Sequence, residues 1–435
     1  MFNLILYDFK KRLKSPLTWI LVWLILMMPY IKIEDIKAER LNRPFSGTYN
    51  TWSANLDIRN YGDEYWLGYV NEKTKEKRLE IAKKIVEADA KGDYKNYNKN
   101  NAFSLLISAK EYMSSTDVIQ FKAAEKKIKE IWDNVSDGTK YEDISIYHAG
   151  DRFPLMGFSC INHAKFHNYL YNNDLDVYYN DDINNISFLY NYLIDILPIL
   201  LIIFPILLIY NSINKEINNE SIKLSLTQGL PRWKYYMAKY ISGVLHILLL
   251  VYIPLIFVSV IIGFKYGFVS LKYPVSYYPL GFKSLIPRHN FVEGLNYPNI
   301  YIGISRLPRQ SIRGVETILL GDEIIPFYKF ILLSILFTIL FVLFVVALVE
   351  LISSLINNEQ MGFIITALIF SLGYKLSQPY IHERHYNLSP FTMNNSAAII
   401  NGSCNVTALT SFIILSLSTI ILLSTGIIYF KKKDI

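Results

Sequence analysis

The sequence is poor in the residues that carry most redox and hydrolytic chemistry. It has two cysteines, Cys160 and Cys404, and seven histidines in 435 residues. Two cysteines cannot make a disulfide framework. A single Cys160–Cys404 bridge is open, and two unrelated thiols is the simpler reading. No G-x-x-x-x-G-K-[ST] phosphate loop occurs, which excludes ATP binding by that route. His382-Glu383-Arg384-His385 misses the zinc-protease spacing, because position 386, which would share a helical face with His382, is Tyr386. His163 and His167 have the i, i+4 spacing of a metal pair, but no third ligand is in register. They read as two solvated histidines, with no metal site. No small-residue cleavage site follows the apolar run in KSPLTWILVWLILMMPYIKIED, so an uncleaved anchor is expected rather than a signal peptide. Internal repeats are also lacking, which argues against a secondary transporter built from inverted halves.

What the chain has is apolar surface. It is 52% hydrophobic and 15% aromatic, with a mean hydropathy of +0.22, beyond the range of an ordinary soluble protein of this size. Runs able to cross a ~30 Å hydrocarbon core lie near 17–31, 188–210, 241–264, 327–356, 361–374 and 409–430. The expected fold is an all-α polytopic membrane protein with six transmembrane helices. Basic residues cluster at Lys10–Lys14, at Lys215–Lys239 and at Lys431–Lys433, which places both termini in the cytoplasm. The outer loop 265–325 carries seven basic residues against that rule, but its length puts it at the rule's limit.

The net charge of +7 is uneven. Residues 33–185 hold 21 basic and 25 acidic residues, net −4, which leaves +11 for the membrane-proximal remainder. That basicity suits anionic lipid headgroups, and no nucleic-acid footprint is seen.

The segments follow from these runs. Residues 1–32 hold an interfacial elbow helix, with Phe2, Ile5, Leu6, Phe9 and Leu13 in one stripe, and then the first span; a plain basic flank is the alternative for the former. Residues 33–185 are long enough to form a separate extracytoplasmic domain. Within it KTKEKRLEIAKKIVEAD and STDVIQFKAAEKKIKEIWDNV read as helices, the second repeating Phe121, Ala124, Ile128, Ile131 and Trp132 on one face. Residues 186–264 contain spans two and three with a charged segment between them. Residues 265–325 read as an irregular, Pro- and Tyr-rich outer loop. Residues 326–378 form a tight hairpin of spans four and five, 379–408 an outer segment in which MNNSAAII reads as a short helix or a re-entrant piece, and 409–435 the last span and tail. Asp195, His246 and Glu350 are ionisable within spans, a functional signal by default. Asp195 and Glu350 stand within two turns of a span end, where a local structural role is equally open.

The charged segment NKEINNESIKLSLTQGLPRWKYYMAKY, 214–240, is the main chemical feature. Along its first half Ile213, Ile217 and Leu224 share one stripe, with Ile222 and Leu226 nearly opposite, so a single helix would present two narrow apolar faces. Gly229 and Pro231 end that helix. An interfacial linker is the bland alternative; one face on the protein and one on a partner is the sharper one.

This layout resembles the loop between the second and third spans of ABC-2 type permeases, the membrane subunits of ATP-binding-cassette exporters. Glu216, Glu220, Ser221, Leu224, Pro231, Arg232 and Lys239 match the family's coupling helix residue by residue, except that Arg232 directly follows Pro231 without the usual intervening residue. The amphipathic start, ELISSLINNEQMGFIITALIF, NLSPFT and IIYFKKKDI are also similar to family segments. The resemblance implies a bacterial plasma-membrane exporter subunit, not itself an enzyme, with no cofactor of its own. ATP and Mg would sit on a partner ABC ATPase, and a second permease half, identical or homologous, would complete the pore. An antimicrobial peptide or other amphipathic molecule is the substrate class it suggests. A sensor or immunity protein that binds an extracellular peptide without transport is the competing reading, and an adjacent P-loop ATPase sequence would discriminate between them.

Overall fold

The computed structural model describes residues 1–41, 54, 72–113, 118–144, 154–178, 183–227, 229–285, 299–300, 305–306, 323–376, 388–402 and 406–433. His382–His385 and Cys404 lie outside the described residues, and with them the near-motif and the pairing of Cys160.

The polar insertion is a helical unit with its own core. Helices α3 (Glu72–Lys91), α4 (Tyr94–Met113), α5 (Val118–Val135) and α6 (Pro154–Asn173) bury Ile81, Ile85, Phe103, Leu106, Ile128, Trp132 and Ile161 together. The two helices expected from periodicity are α3 and α5, and Ile128, Ile131 and Trp132 are buried as their spacing requires. The side chains of Phe121 and Ala124 lie outside the described residues. Sequence reading gave no sign of α4, because its Asn-rich run YKNYNKNN has low helix propensity. Two of its buried asparagines satisfy their own helix, Asn101 Nδ2 donating to the Tyr97 carbonyl at 3.0 Å and Asn100 Nδ2 to that of Asn96 at 2.7 Å.

One histidine of the i, i+4 pair is a core residue. His167 is 3% exposed. Its Nδ1–H donates to Asn98 Oδ1 across 2.9 Å, and its ring meets Tyr97 and Phe166 edge-on. The expectation of two solvated histidines is therefore corrected: apolar packing from α4 closes over His167. No group of three or more potential metal ligands occurs among the described residues. Burial, reinforced by His163, pushes the His167 pKa down to about 3 from an ordinary 6.5. The unfolded chain then binds a proton below pH 6.5 that the folded domain does not, so stability is full above pH 6.5 and declines as pH falls toward 3. The slope is about 1.4 kcal/mol per pH unit. Hydrogen exchange of α4 and α6 at pH 7 and pH 4.5 should show acid-induced loss of protection in the wild type and a smaller loss in His167→Gln. Equal losses would remove His167 as the cause.

Among the described residues, four stretches are long and apolar enough to cross a membrane: Asn185–Asn218, Arg232–Tyr266, Phe327–Leu355 and Ala408–Lys432. The first is composite: α7 (Asn185–Asn191), a π turn (Tyr192–Ile196), α8 (Leu197–Ile209) and α9 (Asn214–Asn218). The charged segment continues as α10 (Ser221–Thr227). The other three are α11 (Arg232–Tyr266), α12 (Phe327–Leu355) and α15 (Ala408–Lys432). The two remaining expected spans are helical but lie outside this set. α2 (Pro16–Leu41) has a short apolar part, Pro16–Met28, and runs past residue 32. α13 (Glu359–Leu376) has 18 residues with Glu359 and Lys375 near its ends. It follows α12 after three residues, the tight hairpin expected.

Phe204, Val251, Phe341, Val345 and Leu415 pack in one core. Buried α14 (Ser396–Ile400) joins it, its Ser396 hydroxyl 2.6 Å from that of Ser334 on α12. Loop 265–325 is not irregular throughout, since β1 (Pro274–Tyr277) pairs antiparallel with β4 (Glu323–Pro326), Val275 opposite Ile325. This ribbon leads directly into α12. Two further strands of two residues, β2 (Asn299–Ile300) and β3 (Ser305–Arg306), pair with each other.

Candidate functional site

Helix α1 (Phe2–Leu13) lies against α11 with its polar side inward. Asp8 is its buried residue, while Phe2 of the apolar stripe is 70% exposed and Leu6 and Leu13 also face out. Asp8 and Arg12 both lie off the apolar stripe of α1. Asp8 is buried because Lys239 of α11 and Arg12 supply opposite charges, and Arg12 is nearly so because Asp8 and Glu350 of α12 do.

Those charges form one cluster. Asp8 Oδ1 accepts from Lys239 Nζ at 2.5 Å, and Asp8 Oδ2 from Arg12 Nε at 2.9 Å. Lys239 also donates to Glu216 Oε1 at 2.6 Å, which Lys11 reaches at 2.8 Å, and the Tyr235 hydroxyl donates to Glu216 Oε2. Arg12 Nη2 lies 3.5 Å from Glu350 Oε1, and its Nη1 donates to the Leu208 carbonyl at 3.3 Å. The Ser212 hydroxyl completes the shell of Glu350. Three acidic and three basic side chains from α1, α9, α11 and α12 thus join in one network, which runs inward from partly exposed Lys11 to fully buried Glu350. Burial alone would raise the Asp8 carboxyl, but Arg12 and Lys239 reverse that and hold it well below the usual carboxylate range. Such a network contributes little net stability over apolar packing, but it fixes register, because losing one member strands the others.

The charged segment is built in two parts. Helix α9 is the fixed part. Ser353 Oγ on α12 accepts from the amides of Ile213 and Asn214 at 3.1 and 3.3 Å, and Asn218 Nδ2 donates to the Asn357 carbonyl at 3.0 Å. Glu220 then takes a left-handed φ of +54°, which breaks the single helix expected over 213–226 and redirects α10. The turn brings Ile222 onto the same side as Ile213 and Ile217, packed with Tyr235, Tyr236 and Phe430, rather than opposite them. Glu220, Ser221 and Lys223 are exposed, with Lys223 3.0 Å from Glu220. The segment therefore offers a polar tip on a buried root.

A family model described as ABC-2 family transporter protein matches residues 2–435. The chain belongs to the ABC-2 transporter family. No curated protein and no solved structure matches it. Membership makes it the permease subunit of an ABC transporter, a multi-pass membrane protein whose partner is an ABC ATPase.

The matched residues of this ABC-2 permease fall into distinct places. Glu216 and Lys239 are in the buried cluster, and Lys239 reaches no surface. Glu220 and Ser221 form the exposed tip, with Ser221 Oγ donating to the Glu216 carbonyl at 3.3 Å. Leu224 lies on α10, its side chain outside the described residues. Pro231 is exposed and precedes α11. Arg232 ties the start of α11 to the end of α15, donating to the carbonyls of Lys431, at 3.3 Å, and Lys433. Lys433 in turn donates to Ser354 O and Asn357 Oδ1, both at 2.6 Å.

Among the intramembrane candidates, Glu350 is fully buried although it stands within two turns of a span end, because Arg12 and Ser212 close over it. His246 is buried, with Nε2 3.2 Å from Thr18 Oγ1 and Phe9 edge-on at 6.4 Å. Asp195 is exposed on the π turn. Sequence reasoning missed Asp8, Lys11, Arg12, Ser212 and Tyr235. The available signal was Asp8 itself, the first acidic residue of the chain and four positions before Arg12, on a helix otherwise apolar and basic.

Proposed function

We propose that this permease is one half of a bacterial ABC exporter. Its exposed α10 tip docks on the ATPase, and its buried ion cluster carries the ATPase's closure into α11 and α12. The carrying observation is the two-part segment: Glu220 and Ser221 are accessible to a partner, while Glu216, only two turns away at most, is bonded to α1 and α11. A pushed tip on such a root moves several spans together rather than flexing alone.

In this reading ATP and Mg belong to the partner and this chain hydrolyses nothing. Six helices, α2 and α13 included, cross the plasma membrane with both termini in the cytoplasm. The outward stripe Phe2, Leu6 and Leu13 supports α1 as an elbow helix in the inner leaflet. A second half, the same chain or a homologue, closes the pathway. An antimicrobial peptide or other amphipathic molecule is the substrate, moved outward.

Co-purification in mild detergent from the native host tests docking. The wild type should bring down an ABC ATPase, and Glu220→Arg combined with Ser221→Arg should lose it at least fivefold while the permease itself elutes unchanged. Absence of an ATPase from both samples would overturn the reading in favour of a sensor. Equal recovery would move the dock elsewhere.

A further inference from the structure

We propose that the cleft between the helical insertion and the β1–β4 ribbon captures the C-terminal carboxylate of an extracellular peptide. This goes beyond the exporter reading, which assigns no site on the insertion.

The cleft has a volume of about 320 Å³, at the lower end of the ~300–1,000 Å³ of small-ligand sites. It suits the end of a peptide rather than a folded surface. One wall is α5 and α6; the other is β4, which continues directly into α12. Bonds beside the cleft tie the two walls together. Tyr169 on α6, a lining residue, donates its hydroxyl to the Lys272 carbonyl at 3.1 Å. The Tyr273 hydroxyl accepts from the Tyr178 amide at 2.9 Å and donates to the Tyr178 carbonyl at 2.7 Å. The amides of Phe327 and Tyr328, at the start of α12, then donate to the carbonyls of Tyr273 and Leu271 at 2.8 and 2.9 Å. A gap held from both sides in this way is preformed, as small-ligand sites usually are. It also touches the span that carries Glu350.

The lining is rich in donors. At the end of α5, Asn134 Nδ2 donates to Asn168 Oδ1 at 2.5 Å and to Asn172 Oδ1 at 2.8 Å. Asn168 and Asn172, one turn apart on α6, line the cleft. With both oxygens turned to Asn134, the amide nitrogens are the ends presented to the cleft. Lys165, one turn before Asn168, and Lys127 on α5 add ammonium groups. Each has a neighbour, Lys165 in Asn162 Oδ1 at 3.3 Å and Lys127 in Glu130 at 3.4 Å. An ammonium carries three N–H donors, so these bonds are compatible with a second acceptor. Two amide donors and a cation lining one gap match a carboxylate, which accepts about four hydrogen bonds through two oxygens.

Glu323 on β4 lies in the same lining, and residues 33–185 carry a net −4. Both repel a multiply charged anion such as phosphate. A peptide brings a single negative charge to the amide side and sets a cationic or neutral remainder toward Glu323. Ile131 on α5 and Ile324 on β4 offer apolar contact to its last side chain from opposite walls.

The test is fluorescence anisotropy of the peptide Leu-Lys-Ala-Leu, labelled at its N-terminus, with the full-length permease in phosphatidylcholine nanodiscs and empty nanodiscs subtracted. The comparison is the same peptide ending in a carboxamide. The free acid should bind at least tenfold more tightly than the amide. Asn168→Asp combined with Asn172→Asp keeps the oxygens that Asn134 bonds and turns the donors into repelling carboxylates, so it should erase that preference. Glu323→Gln should weaken acid and amide alike and leave the preference within twofold. Lys165→Gln, which should lower the preference at least threefold, takes the place of the double variant should that one not elute as folded protein. Equal binding of acid and amide by the wild type, a preference that survives the substitutions on α6, or no binding of the acid would each overturn the proposal. So would displacement of the labelled acid by inorganic phosphate as effective as that by unlabelled acid, since the cleft would then be a general anion site. The assay contains no ATPase, so its failure leaves the exporter reading standing.

Discussion

Replacing Arg12 by methionine should lower the unfolding temperature of the purified permease by roughly 3–6 °C, the result expected for breaking a buried ion network at about 3–5 kcal/mol. Methionine fills much of the volume but removes the group between two buried carboxyls. Asp8 keeps Lys239. Glu350, which is 0% exposed, then keeps the Ser212 hydroxyl alone among the described residues. The cost is therefore that of stranding Glu350, and this makes a second outcome specific: Arg12→Met combined with Glu350→Gln should recover a substantial part of the loss. Differential scanning fluorimetry of the single and double variants reads both. A single variant as stable as wild type would mean that Glu350 is not held by Arg12 in solution.

The second large effect is functional. Glu216→Gln keeps the shape of the side chain and removes the charge that Lys11 and Lys239 share. Lys239 retains Asp8, so the fold survives, and the exposed tip at Glu220 and Ser221 is untouched. The ATPase should still dock and hydrolyse ATP, while movement of the spans in response should fall at least tenfold, because the root of α9 no longer grips α1 and α11. Loss of ATPase binding in this variant would instead make Glu216 a docking residue.

How much of this was legible in the sequence depends on which force decided each element. The apolar runs that became α8, α11, α12 and α15 were plain, since their hydrophobicity is continuous. Helices α3 and α5 are legible in KTKEKRLEIAKKIVEAD and STDVIQFKAAEKKIKEIWDNV, the second through Ile128, Ile131 and Trp132 at helical spacing. α4 and α6 were hidden by Asn, Lys and His, residues that read as solvated until tertiary packing buries Asn98 and His167 together. The charged segment 214–240 is plain in the sequence, but its shape is not. Whether Glu220 continues a helix or turns left-handed is settled by where Ile222 can be buried, against Tyr235 and Phe430, and no local spacing encodes that. The ion cluster was half visible for the same reason. Glu216, Lys239 and Glu350 were singled out one at a time, and their partners Asp8 and Arg12 come from a helix more than 190 residues away along the chain.

The most direct test of the claim that this cluster carries movement uses a thiol at position 199 as a reporter on the exposed side of α8. In a Cys160→Ser, Cys404→Ser background, Ile199→Cys is labelled with a maleimide in the reconstituted permease–ATPase complex, with and without ATP. Labelling should change at least threefold on ATP addition, and adding Glu216→Gln should abolish that change while hydrolysis continues. An ATP-dependent change that survives Glu216→Gln undiminished would contradict the account, since movement would then reach the spans without passing through the cluster.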